Sequence, residues 1–336
     1  MERIPIWGEK IPYNSTNSKF ADMQIDFKKK NKLLAMLRLL GSGLCGDAYQ
    51  DSSCVLDTWT YLAEIRPGYG KETYEDVPYL MPFLVPGSKR TILVVPGGGF
   101  CYKQSDLDGV GKQTEGDLVA RELNRHGISA FVLWYRTNPY RFPVPLLDMQ
   151  RAVRFLRFHA AEYGIDPDKI SAIGFSAGGY EIAGLMNILR GQNPFPTDYI
   201  ADEVDSVSDK LETAGLFYPC VSFENLMPTL NGCFSKEQID SEEKRGALCR
   251  QYSCVENFCA TDTPQFFAYG GKDTVIPPSH EEAYIEKLEQ TNTNHQILFL
   301  PNAQHGFGFQ PKKLTKKGSW MKTYIDWYNA HTLNNS

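Results

Sequence analysis

The stretch Ile170-Ser171-Ala172-Ile173-Gly174-Phe175-Ser176-Ala177-Gly178-Gly179 decides how this chain folds. An apolar run of strand character, Ile170 to Phe175, meets a Gly-x-Ser-x-Gly pentapeptide, and an apolar-periodic helical pattern follows over 180–189. Strand, sharp turn and helix in that order form the setting in which a serine is presented as a nucleophile. Such a turn forces its central residue into a strained backbone, which lasts only where the surroundings enforce it. Gly174 and Gly178 lack side chains because strand and helix must pass within van der Waals distance. The amide of Ala177 opens the helix, where developing negative charge is favoured. The plainer reading is a glycine-rich turn that happens to hold a serine; the flanking strand and helix weigh against it.

Outward from this turn, apolar runs alternate with helical patterns from about Arg90 onward, the signature of a parallel sheet covered on both faces. Strands are expected at 91–96, 130–135, 170–175, 214–218, 265–269 and 296–300, and helices at 115–126, 145–163, 180–189, 280–289 and 320–331. In the second helix Leu146, Met149, Val153, Leu156 and Ala160 share one face, and Gly164 stops it. Trp320, Tyr324 and Trp327 recur at helical spacing and read as core packing. Residues 77–85 read as an edge strand limited by Pro78, Pro82 and Pro86. Residues 1–75 fit no strand–helix rhythm, so the chain divides into an N-terminal extension, 1–75, and a main domain, 76–336. The stretch 222–261 is long for a connection and reads as an excursion that shapes a pocket.

A second glycine cluster, Pro96-Gly97-Gly98-Gly99-Phe100, follows directly on the strand at 91–96. Neither nucleotide pattern fits it. The dinucleotide spacing would need glycine where Tyr102 stands, and Gly111-Lys112 is followed by Gln113 instead of Ser or Thr. The remaining reading is an oxyanion loop in which Gly98 and Gly99 offer bare backbone N–H groups beside that of Ala177.

A nucleophilic serine needs a base and a group to orient it, in chain order acid then histidine for this arrangement. Asp273 ends the run Gln265-Phe-Phe-Ala-Tyr-Gly-Gly-Lys-Asp273, at the carboxyl end of a buried strand where such sheets bind ligands. Of six histidines, His305 alone combines a loop at the carboxyl end of a strand with a place after that acid; Gly306 and Gly308 give it room. Asp262 is the fallback acid but precedes its strand. Asp148 reads as a surface or helix-packing carboxylate.

Composition narrows the class. A net charge of −5 argues against nucleic-acid and anionic-membrane partners. No apolar run approaches the ~20 residues of a membrane-spanning helix. Met1-Glu2-Arg3-Ile4-Pro5 carries no secretory core, so a cytoplasmic location is expected, and Asn14-Ser15-Thr16 and Asn334-Asn335-Ser336 read as chance sequons. The eight cysteines read as reduced structural thiols, since Cys249, Cys254 and Cys259, five residues apart, lack zinc-site spacing.

Taken with Val94–Phe100, 115–120, 130–136, Asp148, Ala152, 174–179, Tyr218-Pro219 and Asp262-Thr-Pro264, these neighbourhoods resemble the α/β-hydrolase esterases of the hormone-sensitive-lipase and acetyl-esterase group. Within that group the chain is most similar to bacterial carbohydrate esterases related to acetylxylan esterases. Two departures stand out. Pro96 replaces the histidine that opens the lipase-type glycine loop, and Tyr180 stands where those esterases often carry histidine. The resemblance implies an α/β-hydrolase fold and hydrolysis of short-chain, acetyl esters on sugars or oligosaccharides. It implies Ser176, His305 and Asp273 as the triad, and Gly98, Gly99 and Ala177 as the oxyanion hole. No metal or organic cofactor is expected, and the partner is a small-molecule or oligosaccharide ester. Phe100, Tyr102 and Tyr180 are expected to crowd the acyl side. Three alternatives are a prolyl-oligopeptidase-like peptidase, for whose propeller this length leaves no room, a general carboxylesterase or lipase-like enzyme, and a non-catalytic hydrolase-fold binder, which would be expected to lack a triad member.

Overall fold

The computed structural model describes residues 2–14, 77–100, 115–137, 140–234, 238–309 and 320–333. Among these, eight strands form one sheet. They are β1 (Ile4–Pro5), β2 (Tyr79–Phe83), β3 (Thr91–Val95), β4 (Ser129–Trp134), β5 (Ile170–Phe175), β6 (Ala214–Phe217), β7 (Gln265–Gly270) and β8 (His295–Leu300). Their order is β1-β2-β4-β3-β5-β6-β7-β8. The two pairings made by β2 are antiparallel and the rest are parallel. The chain steps from β3 outward to β4, then returns past β3 to β5. That reversal opens a crevice at the carboxyl ends of β3 and β5, where sheets of this kind bind ligands.

Strands β3 and β5 are buried along their whole length, as continuous apolar runs with cover on both faces require. One face packs under α1 (Asp117–Arg125), through Val119, Ala120 and Leu123, and under α8 (Trp320–Thr332). The aromatic stripe Trp320, Tyr324 and Trp327 lies in that core. The opposite face packs under α2 (Val144–Phe158), the short α3 (Ala160–Tyr163), α4 (Ala177–Gly184) and α7 (Pro278–Gln290). A π-helical turn, Leu185–Leu189, extends α4. The excursion contributes α5 (Met227–Cys233) and α6 (Glu242–Tyr252).

Two expectations change here. Residues 77–85 do not form the sheet edge, because β1 pairs outside β2, with Ile4 opposite Leu80 and Pro5 opposite Tyr79. The Pro78 carbonyl accepts from Ile6 N–H, and side alternates along a strand, so Pro82 directs its missing N–H to that same margin, past the end of β1. The second helix is also not amphipathic: Asp148, Gln150, Arg151 and Arg154 are buried like its apolar residues. Asp148 is therefore no surface group. It forms a fully buried ion pair with Arg136 and accepts the Trp7 indole N–H at 2.7 Å. Arg136 also donates to the Pro12 carbonyl, and Arg151 donates to the Ile6 carbonyl and pairs with Asp205. Residues 4–14 thus lie as a strap over the polar side of α2, and the buried cations and anions there are paired, as burial demands.

Cys101, Tyr102 and the 334–336 sequon lie outside the described residues. Cys220, Cys233 and Cys254 are buried, and Cys220, Cys249, Cys254 and Cys259 are free thiols. No helix among the described residues is long and apolar enough to cross a membrane.

Candidate active site

Ser176 sits between β5 and α4 at φ +52°, a left-handed conformation for a residue with a side chain. That strain, on the order of 1–3 kcal/mol, is imposed by close packing. A Cβ on Gly178 would lie 2.1 Å from the Val95 carbonyl oxygen, and one on Gly174 would lie 2.3 Å from that of Gly178. The serine N–H donates to the Phe217 carbonyl at 2.9 Å, and its own carbonyl accepts from Tyr180 and Cys220. The result is a hydroxyl raised above the sheet on a backbone fixed from three strands.

Ser176 Oγ lies 2.8 Å from His305 Nε2, and His305 Nδ1 lies 2.7 Å from Asp273 Oδ2. The second oxygen, Asp273 Oδ1, accepts the backbone N–H groups of Val275 and Ile276 at 2.8 and 2.9 Å. The aspartate is thereby locked, with its side chain out of solvent, while the histidine keeps 16% of its side-chain surface exposed. The loops after β7 and β8 are stitched together: Lys272 N–H donates to the Ala303 carbonyl, and a Cβ on Gly270 would collide with that same carbonyl.

The glycine loop passes directly over the serine. A Cβ on Gly97 would stand 2.9 Å from Ser176 Cβ. Gly98 and Gly99 both hold positive φ, +138° and +61°, which favours glycine there. Ala177 begins α4, and the first amides of a helix have no partner within it. The sequence-expected donors therefore flank one serine, on adjacent strands.

Phe100 and Tyr180 occupy a buried aromatic block. Phe100 packs edge-on against Phe142 and Tyr180, Tyr180 stacks on Phe223 at 4.8 Å, and its hydroxyl donates to the Tyr252 carbonyl. Phe223, Phe234 and Tyr252 come from the excursion, which thus backs the nucleophile with a solid wall. Phe100 and Tyr180 are 1% and 0% exposed, so in this state they shape the wall from behind and offer almost no surface to a ligand.

Two residues gained no role from the sequence. Glu115, read as the start of a helix, is buried and accepts from Gly97 N–H at 2.9 Å and from the Tyr218 hydroxyl at 2.8 Å. Tyr218, read as a strand end, lies edge-on to the His305 ring. The only signal was their place in two segments that carry the resemblance, Glu115-Gly116 and Tyr218-Pro219. A third acid, Glu281, is buried beside the aspartate, and neither carboxyl oxygen has a hydrogen-bond partner among the described residues. Burial first, and the Asp273 charge second, push its carboxyl up to about 10. The folded protein therefore holds a proton there that the unfolded chain releases above about pH 4.5. Stability is expected to fall as pH rises between those values, by at most about 1.4 kcal/mol per pH unit from this group. Glu281→Gln should flatten that slope in melts recorded from pH 5 to 9; an unchanged slope would exclude the residue as its source. Among the described residues no cluster of His, Cys, Asp and Glu is placed to hold a metal ion.

The sheet order, the strained serine at a helix start, and the acid and histidine on the loops after β7 and β8 define an α/β-hydrolase. The chain belongs to the BD-FAE family, which it matches over residues 81–288. Residues 253–331 also match the dienelactone hydrolase family. Endo-1,4-beta-xylanase B of Butyrivibrio fibrisolvens is 28% identical over 70% of this chain and 35% of its own. The acetylxylan esterase of Xylanibacter ruminicola is 25% identical over 70% of this chain and 46% of its own. The chain thus spans between a third and a half of the length of these relatives. A solved acetyl ester-xyloside bifunctional hydrolase from Caldicellulosiruptor lactoaceticus superposes with a TM-score of 0.62, at 26% identity, over 80% of this chain and 92% of that one.

Proposed function

We propose that this protein is a serine carboxylic-ester hydrolase that removes short acyl groups, acetyl foremost, from sugars or oligosaccharides. The observation that carries the reading is the relay Ser176–His305–Asp273, with contacts of 2.8 and 2.7 Å, on a serine strained at the head of a helix. His305 Nε2 takes the hydroxyl proton as Ser176 Oγ attacks the ester carbonyl carbon. Asp273 holds the proton on Nδ1 and stabilises the imidazolium that forms. The amides of Ala177 and of Gly98 or Gly99 receive the developing oxyanion. Collapse expels the alcohol, protonated by His305, and leaves an acyl-serine. The same histidine then activates water, which releases the acid and restores the hydroxyl. In this reading residues 76–336 form the catalytic domain, and the strap at 4–14 completes its sheet.

Two things favour acetyl groups on carbohydrates. The names of two proteins above, the acetylxylan esterase and the acetyl ester-xyloside hydrolase, join acetyl esters to xylan or xylosides, and we read the aromatic wall behind the glycine loop as limiting acyl length. An extra methylene in a tight pocket costs ~1–3 kcal/mol, roughly 10- to 200-fold in specificity. The test is kcat/KM across p-nitrophenyl esters of two to ten carbons, with acetate release from acetylated xylo-oligosaccharides. A steep fall after the two- to three-carbon esters, together with acetate release, is expected. A maximum at eight carbons or more without release from the sugar acetates would sink the carbohydrate reading.

A further inference from the structure

The glycine loop and the histidine loop are carried by strands that are not neighbours, yet both must hold their places around one hydroxyl. A buried network joins them. Glu115 Oε2 accepts the Gly97 N–H at 2.9 Å, and Glu115 Oε1 accepts the Tyr218 hydroxyl at 2.8 Å. The Tyr218 oxygen in turn accepts the Gly308 N–H at 3.1 Å, three residues beyond His305. The Tyr218 ring lies edge-on to His305 and to Phe307, with centroids 5.1 and 4.4 Å away. Tyr218 itself is held at φ +38° by its N–H bond to the Ala268 carbonyl, so the ring has a fixed origin.

Counting hydrogens shows how the network is satisfied. Gly308 supplies a hydrogen to the Tyr218 oxygen, so the phenol's own hydrogen points to Glu115. The other carboxyl oxygen already receives the Gly97 hydrogen. Among the described residues the network thus directs two donors at Glu115, one at each carboxyl oxygen. Burial, the largest influence, leaves this carboxyl raised above its usual range against the pull of Tyr218, Gly97 and the nearby His305. A fully satisfied buried network of this kind rigidifies what it connects.

We propose that Glu115 is a positioning residue that, through Tyr218, locks the Gly97–Gly99 loop and the His305–Gly308 loop in register over Ser176. Glu115 touches neither the serine hydroxyl nor the place of the ester, so it acts through the N–H groups it orients. The inference rests on the ester-hydrolase reading.

Four enzymes test it with p-nitrophenyl acetate: wild type, Tyr218→Phe, Glu115→Ala and Glu115→Gln, each checked by thermal melting. Losing one oxyanion donor costs roughly 10²–10³ in turnover. Tyr218→Phe and Glu115→Ala are expected to lower kcat about a hundredfold with KM changed less than about threefold. Glu115→Gln should recover at least tenfold of that loss, since its carbonyl can still accept from Gly97 and its amide can donate to Tyr218. Tyr218→Phe keeps the ring in the core and decides the matter if Glu115→Ala does not fold. Wild-type kcat in Tyr218→Phe, a loss confined to KM, or a Glu115→Gln enzyme as slow as Glu115→Ala would each overturn the proposal. Failure of the ester-hydrolase reading looks different: the wild type itself would leave the ester intact, and the inference would fall with it.

Discussion

Ser176→Ala is expected to lower ester turnover by about 10⁶, the loss typical when the nucleophile of a cooperating triad is removed. His305→Ala should cost a similar factor, and the double variant little more, because neither side chain works without the other. The geometry makes this a clean experiment. Ser176 Oγ has His305 as its recorded partner, and the fixed backbone of the turn is held by main-chain bonds that alanine keeps. Melting temperature should therefore stay close to that of the wild type. The decisive measurement is turnover of p-nitrophenyl acetate with labelling by a fluorophosphonate, which marks a nucleophilic serine. A Ser176→Ala enzyme that kept more than about one hundredth of its turnover, or still took the label, would remove Ser176 from the mechanism.

The second-largest effect is expected from Asp273→Asn, about 10⁴ in kcat. The reason is the division of labour between its two oxygens. Oδ1 accepts from Val275 and Ile276, so the carbonyl of an asparagine will settle there and its NH₂ will face His305. Nδ1 must then accept, which places the imidazole hydrogen on Nε2, pointing at the serine. In that tautomer Nε2 cannot take the hydroxyl proton. Substrate binding should change little, and a crystal structure of the variant should show the same contacts. Turnover within tenfold of the wild type would mean that Asp273 is not the orienting acid.

Much of this was legible in the residues. The strand-turn-helix around Ser176 was readable because close packing permits only glycine at 174 and 178. Asp273 and His305 were readable because chain order and position at strand ends leave few choices. What escaped depended on distant partners. Nothing local in Ile4-Pro5-Ile6-Trp7 marks it as a strand, since its two-residue pairing is supported by α2 and β2 far along the chain. Asp148 could be read as either a surface or a helix-packing group because its cover comes from those same residues. Glu115 and Tyr218 were hidden for a different reason: their importance lies in joining two loops, and a single sequence records no such joining. The side chains expected at the acyl side, Phe100 and Tyr180, were correctly seen as bulky, but burial depth cannot be read from bulk.

The strap over α2 has a consequence for how the molecule is made. Trp7 and its acceptor Asp148 stand 141 residues apart. At ordinary rates of translation, about 5–20 residues per second, Ile4–Pro5 waits roughly 7–30 seconds before Asp148 even exists. The outermost strand of the sheet is thus synthesised ahead of the surface that receives it and can dock only after α2 is complete. Until then an apolar segment, with Ile4, Ile6 and Trp7 together, stays uncovered on the nascent chain, a natural landing place for a chaperone.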